Sequence, residues 1–214
     1  MKIDSIQVGM PRTIEYRGRQ VNTGIFKSGV SGPVHAGKLG LAGDGQADLT
    51  VHGGADKAVY AYSLDALAWW RSERPKDEFG GGSFGENLSM DELDEKEICV
   101  GDTFEVGTAV LQASQPRFPC SKLSVKFNDV SILKQFNSYA RMGVYFRVLQ
   151  EGLLGVGDSL KLVGRDAVLC PIAKLFSLYL APSLETEQVE ELLKIKALPS
   201  GMRAEFEELL SNAR

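Results

Sequence analysis

The chain has 214 residues, 43% of them hydrophobic and 24% charged, and a net charge of −4. That is enough for one sizeable domain plus an appendage, with the composition of an ordinary soluble globular protein. It argues against a broad nucleic-acid-binding surface, and no apolar run is long enough to cross a bilayer. Taken in order, Lys2–Val8 alternates as a strand does, and Thr13–Tyr16 and Arg19–Thr23 read as a hairpin around Arg17-Gly18. Residues 26–47 are rich in glycine, which points to loops shaped for a ligand or for tight strand crossings. Val51–Tyr62 follows with an apolar strand, and Ser63 caps a helix over Leu64–Ser72. Trp69 and Trp70 on that helix are read as packing. Val100–Val106, Ala109–Ser114, Gly143–Gln150 and Asp158–Val163 read as strands, and Phe127–Ala140 as one helix. From Arg165 the apolar period changes to that of helices, with stripes at Ile172/Leu175/Phe176/Tyr179/Leu180, Val189/Leu192/Leu193 and Met202/Phe206/Leu209/Leu210. Pro182 and Pro199 separate three helices too small to stand alone, which are expected to pack on the β-rich part and wall one side of its pocket. Short strands and glycine-rich turns predict a closed or nearly closed barrel, and no βαβ alternation or Gly-x-Gly-x-x-Gly points to a dinucleotide fold.

The chemistry centres on Gln115-Pro116-Arg117-Phe118-Pro119-Cys120-Ser121-Lys122-Leu123. Two prolines stiffen the loop that carries Cys120, at the junction of a strand and a helical turn. Arg117, Lys122 and a helix N-terminus all favour the thiolate, a nucleophile or a metal ligand. The plainer alternative is a small buried hydrophobe. Cys99, between Ile98 and Val100, faces a core. Three widely spaced cysteines with no Cys-x-x-Cys pair, and an N-terminus lacking a signal-peptide apolar segment, predict a cytoplasmic protein with reduced thiols. A second constellation is His52-Gly53-Gly54 with Asp56 and Lys57. It is either an anion-cradling turn with a cation beside it or a hairpin turn with a surface lysine. His52 is a proton donor or a residue that orients the turn. Asn87 binds a ligand or caps a turn; Arg147 either faces solvent or supplies a fixed cation to a site. His35 reads as a solvated loop residue.

Together these residues resemble the MOSC family, named after the C-terminus of molybdenum-cofactor sulfurase, and within it the YiiM-like 6-N-hydroxylaminopurine resistance subgroup. The matching pieces are Gly43-Asp44-Gly45-Gln46-Ala47-Asp48, Val51-His52-Gly53-Gly54 with Asp56-Lys57-Ala58, Phe84-Gly85-Glu86-Asn87-Leu88, and Gln115-Pro116-Arg117 with Pro119-Cys120 and Lys122-Leu123. They occur in the family's order over most of Lys2–Val163. Ala55 and Phe118 depart from the pattern at positions where variation is expected, which leaves the substrate preference open and the chemistry intact. The resemblance implies an α+β, mainly β fold: a MOSC-type β-barrel over residues 1–164 with flanking helices, and a C-terminal three-helix extension over 165–214. It implies a molybdenum cofactor (molybdopterin) with Cys120 as the thiolate ligand of molybdenum. Cys120 and His52 are then the catalytic residues, and His52, Gly53, Gly54, Lys57, Asn87, Arg117, Lys122 and Arg147 are candidates for holding the cofactor. The implied activity is reduction of N-hydroxylated purine bases to amines, a detoxification of base analogues, with electrons from a separate reductase and no nucleic-acid polymer or membrane as partner. The family is also associated with pyridoxal phosphate binding. Two other readings use the same thiolate: a metal-free cysteine enzyme in which His52 activates Cys120 for acyl or sulfur transfer, and a cofactor carrier without turnover.

Overall fold

The structure is a computed structural model that describes residues 1–48 and 53–212. His52 and Val51, on which part of the sequence reading rests, lie outside the described residues. The strands are β1 (Lys2–Val8), β2 (Arg12–Tyr16), β3 (Arg19–Thr23), β4 (Ser28–Gly29), β5 (Val34–Gly37), β6 (Gly40–Leu41), β7 (Val59–Ser63), β8 (Leu88–Asp91), β9 (Thr103–Val106), β10 (Ala109–Pro116), β11 (Val144–Gln150), β12 (Gly152–Leu154) and β13 (Lys161–Gly164). The helices are α1 (Leu64–Glu73), α2 (Ser121–Phe127), α3 (Ser131–Tyr139), α4 (Ile172–Tyr179), α5 (Thr186–Leu193) and α6 (Ser200–Asn212).

Eight strands form one sheet in the order β13-β9-β10-β11-β7-β8-β1-β4. Its pairs are antiparallel except β7 with β8, which are parallel and therefore need the crossover that α1 and the following loop supply. The Ser63 hydroxyl starts α1 as expected, accepting from the Asp65 amide at 3.2 Å. The expected closed barrel is not found among the described residues. β1 has β8 on one edge, and β4 takes Gln7 and Val8 on the other, so only its first half keeps a free edge. The segment before β13 meets that half through one bridge, Lys2 with Ser159, and a few backbone bonds such as Ile3 N to Asp158 O at 3.0 Å. β13 itself pairs only with β9, so the sheet keeps two ends. β12-β5-β6 make a smaller sheet, and β2-β3 stand as a separate hairpin.

Two further expectations are corrected. The helix read over Phe127–Ala140 is two helices, because Asn128 caps α2 in the left-handed region (φ 49°). Asp129 then takes the Ser131 amide at 2.9 Å and its hydroxyl at 2.7 Å, starting a new helix. In the tail, Tyr179, Leu180 and Leu209 are exposed, although Ile172, Leu175, Phe176, Val189, Leu192, Met202 and Phe206 are buried in the same hydrophobic core as the sheet. The tail is tied to the sheet domain by its backbone: Val100 N donates to Cys170 O at 2.9 Å and Ile172 N to Ile98 O at 2.8 Å. Trp70 is fully buried, with its indole N–H on the Tyr62 hydroxyl at 2.9 Å, which is the packing role expected of it. No helix among the described residues is long and apolar enough to cross a membrane.

Candidate functional site

β10 runs two residues further than its sequence pattern predicts, through Gln115 and Pro116, which pair with Tyr145 and Val144 of β11. A register shift between Ala113 and Gln115 turns Ser114 inward, and its hydroxyl donates to Tyr145 O at 2.9 Å. The chain leaves the sheet at Arg117 and re-enters regular structure at Cys120, the N-cap residue of α2, in extended geometry (φ −129°, ψ 167°). Arg117 and Cys120 are thus held from both sides, by a sheet and by a helix. They line one cavity of about 100 Å³ together with Lys27, Lys57, Asn87 and Lys122.

Arg117 is the central feature of this cavity. It is 5% exposed and stands over the rings of Tyr60 and Phe136, at 5.4 and 5.2 Å. Its Nη1 is buried with no hydrogen-bond partner among the described residues. A guanidinium cannot shed its charge in a protein, so a buried donor of this kind calls for an anion. Burial pushes the phenols of Tyr60 and Tyr145 upward against the pull of Arg117, so both stay neutral. Lys57 ends a short 3-10 turn, Ala55–Lys57, and burial pulls its ammonium down while Asp56 and Glu205 hold it up. Cys120 is half-buried, whereas Cys99 and Cys170 are buried; burial raises both of those thiols, Cys170 to about 11.

The other residues predicted from sequence divide. Asn87 lines the cavity, but its side chain is committed: Oδ1 accepts from Tyr60 N at 3.0 Å, and Nδ2 donates to Asp44 Oδ2 at 2.8 Å and Gln7 O at 3.3 Å. Gly53 and Gly54 lie just before the Lys57 turn, with Gly54 at φ 92°, and do not line the cavity. Arg147 is not brought to it either. Its guanidinium donates to Asp56 Oδ1 at 2.8 Å, Gln112 Oε1 at 2.9 Å and Ala197 O at 2.9 Å, which clamps the sheet, the 3-10 turn and the tail together. The tail supplies none of the cavity's lining among the described residues. It reaches the site indirectly, because Phe118 stacks on Phe176 at 5.4 Å and meets Tyr179 at 4.5 Å.

Sequence reasoning missed Lys27 and Asp44 as individual residues, although the glycine-rich stretch containing them was read as ligand-shaped. They form a buried ion pair in the cavity wall, with side chains 7% and 4% exposed. Asp44 also accepts from Gly9 N at 2.9 Å. Burial pulls the Lys27 ammonium down and Asp44 holds it up. Behind this wall Lys126 donates to Ile25 O at 3.2 Å and to Gly82 O, and burial lowers it to about 8 against the attraction of Glu86. Glu86 is itself fully buried and accepts from Gly82 N at 2.7 Å and Phe84 N at 2.8 Å, with burial raising its carboxyl. The cavity is therefore ringed by cations in a chain of negative net charge. No group of three or more His, Cys, Asp or Glu side chains that could hold a metal ion occurs among the described residues.

Residues 48–161 match the family model of the MOSC domain. The chain is 37% identical to the Bacillus subtilis protein YflK over 206 residues, 94% of this chain and 91% of that one. Its structure matches that of YiiM from Geobacillus stearothermophilus with a TM-score of 0.82 and 35% identity, covering 98% of both chains. It is also 35% identical over 151 residues to a Gibberella moniliformis protein named "Reductase". That match takes in 69% of this chain but only 27% of the fungal protein.

Proposed function

We propose, on the premise that the chain belongs to the MOSC domain family and to its YiiM-like branch, that it is a molybdenum-cofactor-dependent reductase of N-hydroxylated bases. Its substrates would be hydroxylaminopurines, reduced to aminopurines and thereby detoxified. The observation that carries this reading is the buried Arg117, whose Nη1 has no partner among the described residues, in the same cavity as Cys120. A pterin-borne metal needs what this pair offers: a soft sulfur for the metal and a desolvated donor for the anionic part of the cofactor. Among the described residues Cys120 is the soft ligand that lines this cavity, and the cofactor's dithiolene would complete the ligand set. The residues present therefore fit the cofactor.

In this reading Cys120 ligates the metal, and Arg117, Lys57 and Lys122 bind the negative charge of the cofactor. When bound, the cofactor supplies two-electron redox chemistry and an affinity for the substrate oxygen. The chain supplies position. Asn87 and Asp44 brace the wall, and Tyr60 and Tyr145 keep neutral phenols beside Arg117. His52 is the proposed proton donor. The overall change is R–NH–OH plus two electrons and two protons to R–NH₂ plus water. Both electrons come from outside the chain, in which no flavin or cluster motif is present. The test is metal analysis of protein purified from a molybdenum-sufficient host, followed by reduction of 6-N-hydroxylaminopurine with dithionite-reduced methyl viologen. Stoichiometric molybdenum and turnover are expected. Metal-free protein that acts on an acyl or sulfur donor would overturn the reading in favour of a cysteine enzyme, and loaded protein without turnover would favour a carrier.

A further inference from the structure

The β2–β3 hairpin is the element of the fold least explained by its own contacts. It pairs with no other strand, and an isolated two-stranded hairpin is at best marginally stable in water. Arg12, Arg17 and Arg19 against Glu15 give it a surplus of two positive charges in a chain whose net charge is −4. None of the three arginines makes an ion pair with a carboxylate among the described residues; Arg12 stands over the Phe26 ring at 4.2 Å and Arg17 over Tyr16 at 5.2 Å. Register places Arg12, Ile14, Tyr16, Arg19, Val21 and Thr23 on one face. On that face the apolar residues are half-buried, the two arginines are exposed, and Thr23 at the base lines the cavity of Cys120. At the tip, Arg17 (φ 52°) and Gly18 (φ 73°) form the tight turn that matches strand twist. Asparagine or glycine would adopt the Arg17 conformation more readily, so a bulky cation is kept there against local preference. Each strand of five residues spans roughly 15 Å from the cavity-lining Thr23 end to the turn.

We infer that this hairpin is the docking arm for an electron-donating protein with an acidic surface. The inference rests on the reductase reading, because only a chain that draws its electrons from outside needs such a dock. Arginines around half-buried apolar side chains make a small mixed interface, suited to a transient redox encounter and steered by charge. Each turnover would take one electron from each of two donor hydroquinones, releasing two semiquinones, with the two protons ending in the amine and water.

The test uses the full-length, molybdenum-loaded protein with two donors: reduced flavodoxin, a small acidic flavoprotein, and reduced methyl viologen. In Arg17→Glu/Arg19→Glu, the KM for flavodoxin should rise roughly tenfold at low salt and lose most of its salt dependence, while the viologen-driven rate stays unchanged. Viologen turnover with an unaltered flavodoxin KM overturns the docking role alone. Absence of viologen turnover in the wild type overturns the reductase reading and the dock with it. Binding of RNA, or a dimer in solution, that the same variant abolishes would assign the arm to a different partner and overturn the inference.

Discussion

Arg117 and Arg147 were both expected, from sequence, to hold a cofactor, and the fold separates them. Arg147 has an acceptor for each nitrogen: a carboxylate, an amide oxygen and a main-chain carbonyl. Its side chain is 18% exposed and its work is finished when the chain is folded. Arg117 is more deeply buried and ends among aromatic rings in a nitrogen with no partner among the described residues. Among the described residues no acceptor satisfies that donor, and the proposed anionic ligand would supply one. Two residues of the same type, one near the end of β10 and one in β11, thus differ in satisfaction rather than in identity.

The sharpest way to test the cavity side of this contrast is Cys120→Ser. Serine is a good N-cap residue, so α2 should keep its start and the protein its stability. A hydroxyl neutral at pH 7 is a poor substitute for a soft anionic ligand. Activity per bound molybdenum should fall by roughly a hundredfold or more, while some pterin stays bound. Near-normal activity per metal would remove Cys120 as ligand. Next in size is Arg117→Met. Cofactor occupancy at limiting cofactor should drop roughly ten- to hundredfold, the worth of a charge-assisted hydrogen bond of about 1.5–3 kcal/mol. Stability of the cofactor-free protein should stay within about 1 kcal/mol, because relief of the unsatisfied donor offsets the lost ring contacts. Arg147→Met should do the reverse. Losing its three bonds, one to Asp56, should cost about 2–3 kcal/mol and lower Tm by roughly 5–10 °C, with cofactor loading of the folded fraction intact. Calorimetry and metal content of the two variants, measured side by side, would collapse the contrast if both lost the same property.

Much of this was legible in the sequence because it is local. Lys2–Val8, the hairpin at Arg17-Gly18, the Ser63 cap and the strand-to-helix junction at Cys120 each follow from neighbouring residues, and the structure carries all four. Lys57, Arg117, Cys120 and Lys122, each singled out from the sequence, line one cavity. What failed is non-local. Arg147 looks like a stranded cation in an apolar run until Asp56 and Ala197 are folded onto it from opposite ends of the chain. The Lys27–Asp44 pair is hidden for the same reason, since a run of glycines says that a loop is shaped without saying which side chain it turns inward. Barrel closure failed because strand content does not determine edges; the short strand β4 takes the part of β1 that a continuous seam would need. The break at Asn128 was local and readable in principle, from a left-handed residue type followed by an Asp-x-Ser cap.

Lys126 offers the smallest and most specific test of the charge gathered behind the cavity. Burial lowers its ammonium from 10.5 to about 8, with Arg117, Lys27 and Arg12 adding repulsion against the attraction of Glu86. A lysine depressed in the folded state binds fewer protons there than in the unfolded chain at pH values between those two. The penalty for holding it charged is full below about pH 8 and is relieved as pH rises towards 10.5, so its contribution to stability increases across that window. In Lys126→Arg the charge cannot be shed, and the penalty persists. Between pH 7 and 9.5 the wild type should therefore gain on the variant by roughly 1–2 kcal/mol in urea unfolding. Loss of the Lys126 charge over the same range removes one cation from the shell around Arg117, so cofactor occupancy of the wild type should decline above about pH 8 and that of the variant should decline less. Parallel stability curves for the two proteins would show that Lys126 is not held charged against its burial, and that Arg117 stands in a weaker positive field than its surroundings imply.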